Sequence, residues 1–390
     1  MDPVRNPYSP GAGTRPHALV GREAELEAFD IAVQRLAIGK SSKSMLLTGL
    51  RGVGTTVLLN EFGLIAADRG WIHEALEAND EINFPRAMAT LARKSALRIS
   101  AGKRTGARFT KILGVIKSFQ ITWKIPDGGS IDVEPFAGIS DSGVLDADLG
   151  ELLVELGELA RERDRGVLFT LDEMQYLSKE QLAALVQAFH TVAQRQVPVM
   201  LTGAGLPTLH GLIGAARSYA ERLFDFPDID SLSPQAAAAA LDQPAQDEDV
   251  KWDAAAIDRA VEVTGGYPYF LQEFGKQAWD VAPGPEIITR QDIDDAIPIA
   301  VAELDSGFFR VRIDRTSDSE RLYLRAMAQQ GRGPYTSGSV ATALDKTTRQ
   351  LGPVRDGLIK RGLCYSPRWG EIDFTVPMFD EFVRRAMPEA

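Results

Sequence analysis

The chain has 390 residues, 44% of them apolar and 25% charged, with a net charge of −11. That length predicts two to three domains, and the composition is that of a soluble globular protein. No run approaches the ~20 apolar residues a membrane span requires, and the acidic balance excludes a wholesale nucleic-acid coat.

One cysteine, Cys364, excludes an internal disulfide and fits a reducing cytoplasm. Met1–Asn6 has no apolar core, so the expectation is no signal peptide and a cytoplasmic protein. The charge is uneven. Residues 306–390 hold 14 Lys/Arg against 10 Asp/Glu, and residues 82–126 hold ten Lys/Arg with no Asp or Glu. The second segment is either a surface that steers an anionic partner or a solvated face offset by the acidic residues 127–164.

Residues 1–18, rich in Pro, Gly and Asn, predict an extended arm. An amphipathic helix then carries Leu26, Phe29, Ile31, Ala32 and Leu36. Ser44–Thr48 is a short apolar run ending at Gly49, as in a buried parallel strand, and a helical pattern starts at Thr56. Strand patterns recur at 71–76, 167–171 and 197–202, separated by helical patterns at 84–96, 148–161 and 179–195. Strands alternating with helices predict βαβ units and a parallel sheet, an α/β domain over 19–228. Two alternating runs around Pro126-Asp127-Gly128-Gly129 predict an inserted β-hairpin at about 117–136. Residues 229–305 read as four helices with Gly/Pro breaks. Residues 306–390 read as three helices, a hairpin and a closing helix, the winged-helix arrangement, with Gly352-Pro353 expected to interrupt the third helix.

The chemistry centres on Gly49-Leu50-Arg51-Gly52-Val53-Gly54-Thr55-Thr56, placed after an apolar strand and before a helix. Glycines let several N–H groups turn inward, and the helix adds its positive end, which together form a phosphate cradle, a P-loop. Gly49, Gly54 and Thr56 meet the usual pattern, whereas Thr55 stands where lysine is expected. The strand Val167–Leu171 delivers Asp172 and Glu173 at its carboxyl end, the Walker B arrangement. Asp172 would hold Mg²⁺ through water beside the Thr56 hydroxyl, and Glu173 would orient or deprotonate an attacking water.

These two motifs, Val20-Gly21-Arg22-Glu23 ahead of them and Gly265-Gly266-Tyr267-Pro268 behind, resemble the AAA/STAND group of P-loop ATPases. The resemblance is to bacterial and archaeal members similar to origin-recognition initiators, and it covers roughly residues 17–300. It implies ATP or ADP with Mg²⁺. Val20, Gly21 and Arg22 would line the adenine and ribose pocket, Gly49, Gly52, Val53, Gly54, Thr55, Thr56 and Val57 would cradle the phosphates, and Tyr267 and Pro268 would close the lid. It places Thr202 as a polar sensor of the γ-phosphate, and Arg217 or Arg222 as a finger offered to a neighbouring subunit or else a surface ion pair. The missing lysine removes a charge-assisted bond worth about 1.5–3 kcal/mol, so weaker binding and slow turnover are expected.

Lys346, Arg349, Arg355, Lys360, Arg361 and Arg368 fall on or near the third helix and the wing of the last module, where DNA phosphates would lie. The sequence therefore supports a nucleotide-dependent switch controlling a winged helix. It leaves open a DNA-binding protein with a vestigial nucleotide site, and an oligomeric or protein-binding scaffold.

Overall fold

The computed structural model describes residues 1–101, 106–125 and 134–387. They divide into two compact units, Glu23–Thr48 with Thr55–Asp228, and Met1–Arg22 with Gly49–Gly54 and Ile229–Ala390.

The first of these units begins with α1 (Glu23–Ala37) and β1 (Ser44–Gly49), followed by α2 (Thr55–Asp68), β2 (Ile72–Glu77), α3 (Phe84–Ile99), α4 (Ala107–Thr122), α5 (Leu145–Arg161), β3 (Val167–Asp172), α6 (Lys179–Arg195), β4 (Val199–Gly205), α7 (Leu209–Ala216), β5 (Phe224–Asp225) and β6 (Asp228–Ile229). The main sheet runs β2-β3-β4-β1-β5, with all these pairings parallel. Leu46, Leu47, Phe169, Leu171 and Leu201 are fully buried, because helices cover both faces of such a sheet. This is the predicted α/β core.

The predicted hairpin is a correction. Its first run, Gln120–Ile125, begins inside α4, which continues to Thr122. Phe109, Ile112, Leu113, Ile116 and Phe119 recur at helical spacing and are buried together, and that face outweighs the local alternation of Gln120-Ile121-Thr122-Trp123. The Trp123 N–H bonds the Phe119 carbonyl, and Lys124 turns the chain at φ 50°. The remainder of the expected hairpin, residues 126–133, lies outside the described residues. Part of the basic segment 82–126 is neutralised locally. Arg108 pairs with Glu162 at 2.8 Å, Lys111 with Glu155 at 2.7 Å, and Arg98 with Glu74 at 3.1 Å.

The second unit holds α8 (Pro234–Gln246), β7 (Lys251–Trp252), α9 (Ala254–Thr264), α10 (Pro268–Val281), β8 (Ile287–Ile288), α11 (Arg290–Glu303) and the short α12 (Arg310–Ile313). The arm lies against these helices. Tyr8 is buried, donates to the Leu241 carbonyl and accepts from Trp252 Nε1 at 2.7 Å, while Trp279 Nε1 donates to Asp2 O at 2.9 Å.

After α12 come α13 (Asp318–Ala328), β9 (Tyr335–Thr336), α14 (Ser337–Ala343), α15 (Thr348–Lys360), β10 (Cys364–Tyr365), β11 (Glu371–Phe374) and α16 (Phe379–Ala386), with an antiparallel sheet of order β10-β11-β9. Pro353 does not interrupt α15, contrary to expectation. Near the helix start it forfeits one backbone bond, and the Thr347/Gln350 capping box with buried Leu351 and Leu358 holds the helix.

Candidate nucleotide-binding site

Within the α/β unit, Thr56 occupies the first turn of α2 and Asp172 ends β3. The Thr56 hydroxyl donates to Asp172 Oδ2 at 2.6 Å, joining two motifs 116 residues apart. Asp172 Oδ1 accepts the Glu173 N–H at 2.7 Å. Glu173 is left-handed at φ 53°, and its carboxylate accepts from the Gln175 side chain, whose Oε1 in turn accepts the Leu206 N–H at 3.1 Å.

A hydroxyl and a carboxylate together suit a hard cation. Among the described residues no cluster of three or more His, Cys, Asp or Glu could hold a metal alone. A cation here would draw its other ligands from water and phosphate, which is how Mg²⁺ is ordinarily held. The residues present fit that ion.

The glycine-rich loop belongs to the other unit, and there three successive carbonyls are held. Gly52 and Gly54 sit at φ 96° and 99°, a region that favours glycine. The Arg51 carbonyl accepts the Tyr267 hydroxyl, the Gly52 carbonyl accepts the Tyr269 N–H at 3.2 Å, and the Val53 carbonyl accepts Arg22 Nη2 at 3.2 Å. Carbonyls fixed outward turn the neighbouring N–H groups the other way. Those of Gly52 and Gly54 have no backbone partner among the described residues, as a phosphate cradle requires. The Arg51 N–H is different: it donates to the Thr375 carbonyl at 3.3 Å.

Arg22 is buried and also donates to the Asp230 carbonyl, so its guanidinium anchors the loop from behind. Gly21, at φ 71°, is approached by α8 so closely that a Cβ would stand 2.7 Å from Ala236 Cβ; Val20 is half-buried beside it. Tyr267 is buried, and burial pushes its hydroxyl pKa above the usual range. Pro268 opens α10 at a position where its missing N–H costs nothing. Thr55 opens α2, with Val57 half-buried two residues on.

Thr202 does not end its strand. β4 continues to Gly205, and Thr202 lies opposite Thr170 with its hydroxyl buried and without a hydrogen-bond partner. Arg217 pairs with Asp146 at 2.8 Å, the surface-pair alternative. Arg222 is exposed on the turn before β5. Sequence reasoning missed Tyr269, Thr375 and Gln175. Tyr269 follows the Tyr267-Pro268 signal directly, but what engages the loop is its backbone N–H, and Thr375 likewise contributes only a carbonyl.

Residues 18–202 match a family described as an AAA ATPase domain, and residues 306–383 match one described as a domain of unknown function. No curated protein matches the chain. A Walker-type ATPase of Pyrococcus abyssi is 17% identical, with a TM-score of 0.56 over 95% of this chain and 97% of that one. The Aeropyrum pernix ORC1 protein, solved in complex with DNA, is 15% identical, with a TM-score of 0.49 over 95% and 94%. A RuvB mutant of Thermotoga maritima is 16% identical, with a TM-score of 0.49 over 92% and 95%. The first likeness, under 25% identity, speaks to fold alone, and the match over 18–202 is what carries the domain assignment. Residues 18–202 are similar to an AAA ATPase domain, and the chain has the fold of a P-loop ATPase.

Proposed function

We propose that this protein is a nucleotide-dependent switch whose loop Gly49–Thr56 reports bound phosphate to the C-terminal module, a winged helix over residues 306–390. The observation that carries the reading is the Arg51 N–H bonded to the Thr375 carbonyl, just beyond β11. Any adjustment of the loop around phosphate then pulls on the hairpin of that module. Tyr267, bonded to the Arg51 carbonyl, ties the lid helices to the same peptide.

In this reading Thr56 and Asp172 hold Mg²⁺, which neutralises charge on the phosphates when bound. Glu173 is positioned to orient water. Thr55 cannot supply the ammonium that stabilises the transition state, so turnover is slow and the protein dwells in its bound states. The test is hydrogen exchange of the backbone over residues 362–376, with and without ADP or ATP and Mg²⁺. Nucleotide-dependent protection supports the switch. Saturating nucleotide with no change in that segment refutes it, and a Thr55→Lys variant assayed beside it separates binding from turnover.

A DNA-binding role has one specific observation in its favour. Trp369 is fully exposed beside exposed Arg368, at the turn between β10 and β11. Lys346, Arg349 and Lys360 are exposed as well. Arg355 is committed internally, to Ser366 Oγ at 2.9 Å and the Glu371 carbonyl at 3.1 Å, and Arg361 pairs with Glu320 at 3.1 Å. Duplex binding with a steep salt slope, weakened by Arg368→Glu and Trp369→Ala, would favour this reading; salt-independent or absent binding would remove it.

A further inference from the structure

The α/β unit contains a cavity of 270 Å³ at the edge of the sheet where β1, β4 and β5 begin. Its lining includes Ser44, Val199 and Phe224, the first residues of those strands. Asp172 stands at the opposite, carboxyl edge, about 17–20 Å away for a six-residue strand at ~3.3 Å per residue. The cavity is therefore separate from the site that joins Thr56 to Asp172.

Two kinds of wall meet in it. Leu36 from α1, Phe189 and Val192 from α6, and Val197 and Phe224 from the strand approaches present apolar surface. Lys40, Lys43 and Arg222 bring cations, and among the described residues that line the cavity none is acidic. Lys43 is engaged, its ammonium donating to Asp225 Oδ1 at 3.0 Å and to the Glu221 carbonyl at 3.1 Å. Lys40 and Arg222 are exposed and have no carboxylate partner among the described residues. The backbone around them is fixed in advance. Arg35 donates from Nε and Nη2 to the Ser41 carbonyl at 3.2 and 3.1 Å, the Ser44 N–H donates to the Leu223 carbonyl at 3.1 Å, and Gln196 at φ 51° turns α6 toward β4. A preformed cavity spares its ligand the ordering entropy that a mobile one would impose.

These walls define the ligand by its chemistry. An exposed cation alone holds an anion weakly, because water screens it. An apolar body filling the cavity keeps its own anionic group beside Lys40 and Arg222 and displaces the water around them, which strengthens the attraction. A bare inorganic anion uses one wall and a neutral hydrocarbon the other. The volume holds about nine waters at ~30 Å³ each, so the ligand has about nine or ten non-hydrogen atoms, and a nucleotide is too large. We propose that this cavity is a second ligand site, for a compact organic carboxylate, with the apolar body against Phe189, Val192 and Phe224 and the carboxylate toward Lys40 and Arg222.

The experiment is a calorimetric titration of benzoate at pH 7 into the full chain, with benzamide and inorganic phosphate as comparisons. It is repeated on Lys40→Glu, Arg222→Glu and Ala193→Trp. All three altered positions are exposed cavity-lining residues, so the fold is retained, and unchanged melting temperatures check this. Benzoate should saturate one site, benzamide and phosphate should bind at least about tenfold more weakly, and each charge reversal should weaken benzoate by about tenfold or more, the value of a charge-assisted bond. Ala193→Trp, which fills the cavity from α6, should remove binding, and excess ADP should leave benzoate affinity unchanged. The proposal is overturned by an absence of saturable binding up to about 10 mM, by benzamide binding as tightly as benzoate, by affinity indifferent to Ala193→Trp or to both charge reversals, or by competition from ADP. Self-association seen by light scattering and lost in Ala193→Trp, without benzoate binding, assigns the cavity to a second copy of the chain and also overturns it.

Discussion

Replacing Arg312 by methionine should stabilise the nucleotide-free protein, which is the opposite of what most substitutions at partly buried positions do. A fall in pKa from the ordinary arginine range to about 10 corresponds to roughly 3 kcal/mol at ~1.4 kcal/mol per unit. Residual solvent contact screens this to about 1.5–3 kcal/mol. The sign follows from proton linkage. From about 10 up to the ordinary arginine range the unfolded arginine binds more protons than the folded one, so stability rises with pH across that window; below it the whole penalty applies, including at pH 7. Against the relief stands the lost cation–π contact with Phe308, about 0.5–1 kcal/mol, which methionine partly replaces with a sulfur–aromatic contact. The net gain is about 0.5–2 kcal/mol, or a Tm higher by roughly 2–5 °C for a unit of this size. Differential scanning calorimetry at pH 7 measures it. A fall in Tm of comparable size without nucleotide would refute the reasoning, because Arg312 would then be held by its own contacts.

Thr56→Val should abolish the Mg²⁺ dependence of nucleotide affinity, read as the ratio of affinities with Mg²⁺ and with chelator, since the hydroxyl that meets Asp172 is lost. Gly21→Ala should cost about 2–4 kcal/mol in chemical denaturation: the residue would be forced to hold φ 71° and to push Ala236 away. Phe119→Ala should cost about 3–5 kcal/mol while Ile121→Ser stays within about 0.5, because α4 buries the first side chain completely and leaves the second 59% exposed. Equal costs at the two positions would mean a strand, in which they share a face.

The strands β1, β3 and β4 of the α/β core were legible because each is buried on both faces and therefore apolar over most of its length, a pattern that loops do not imitate. The loop and the Asp172-Glu173 pair were legible for a different reason: their residue types are dictated by backbone angles and by charge. Gln120–Ile125 was misread because a few residues of alternation at the end of a helix look like a strand, when the deciding periodicity lies upstream at Phe109–Ile116. Thr202 was set at a strand end from its apolar run alone, whereas the register with β3 and β1 carries β4 three residues further, to Gly205. The loop's outer partners left no local trace. The Tyr269 N–H and Thr375 carbonyl are backbone groups that any side chain would leave in place.

That distribution bears on what the loop does. A cradle of N–H groups works only if its carbonyls are held away from the phosphate, and here three successive carbonyls are held, by Tyr267, Tyr269 and Arg22. Two of those partners come from the start of α10 and the third from the segment before α1, so the cradle is shaped from outside the loop. A lysine within the loop would bring its charge wherever the loop went, whatever the rest of the chain did. Without that lysine, what shapes the cradle is the position of α10 and of the residues before α1, which hold its three carbonyls.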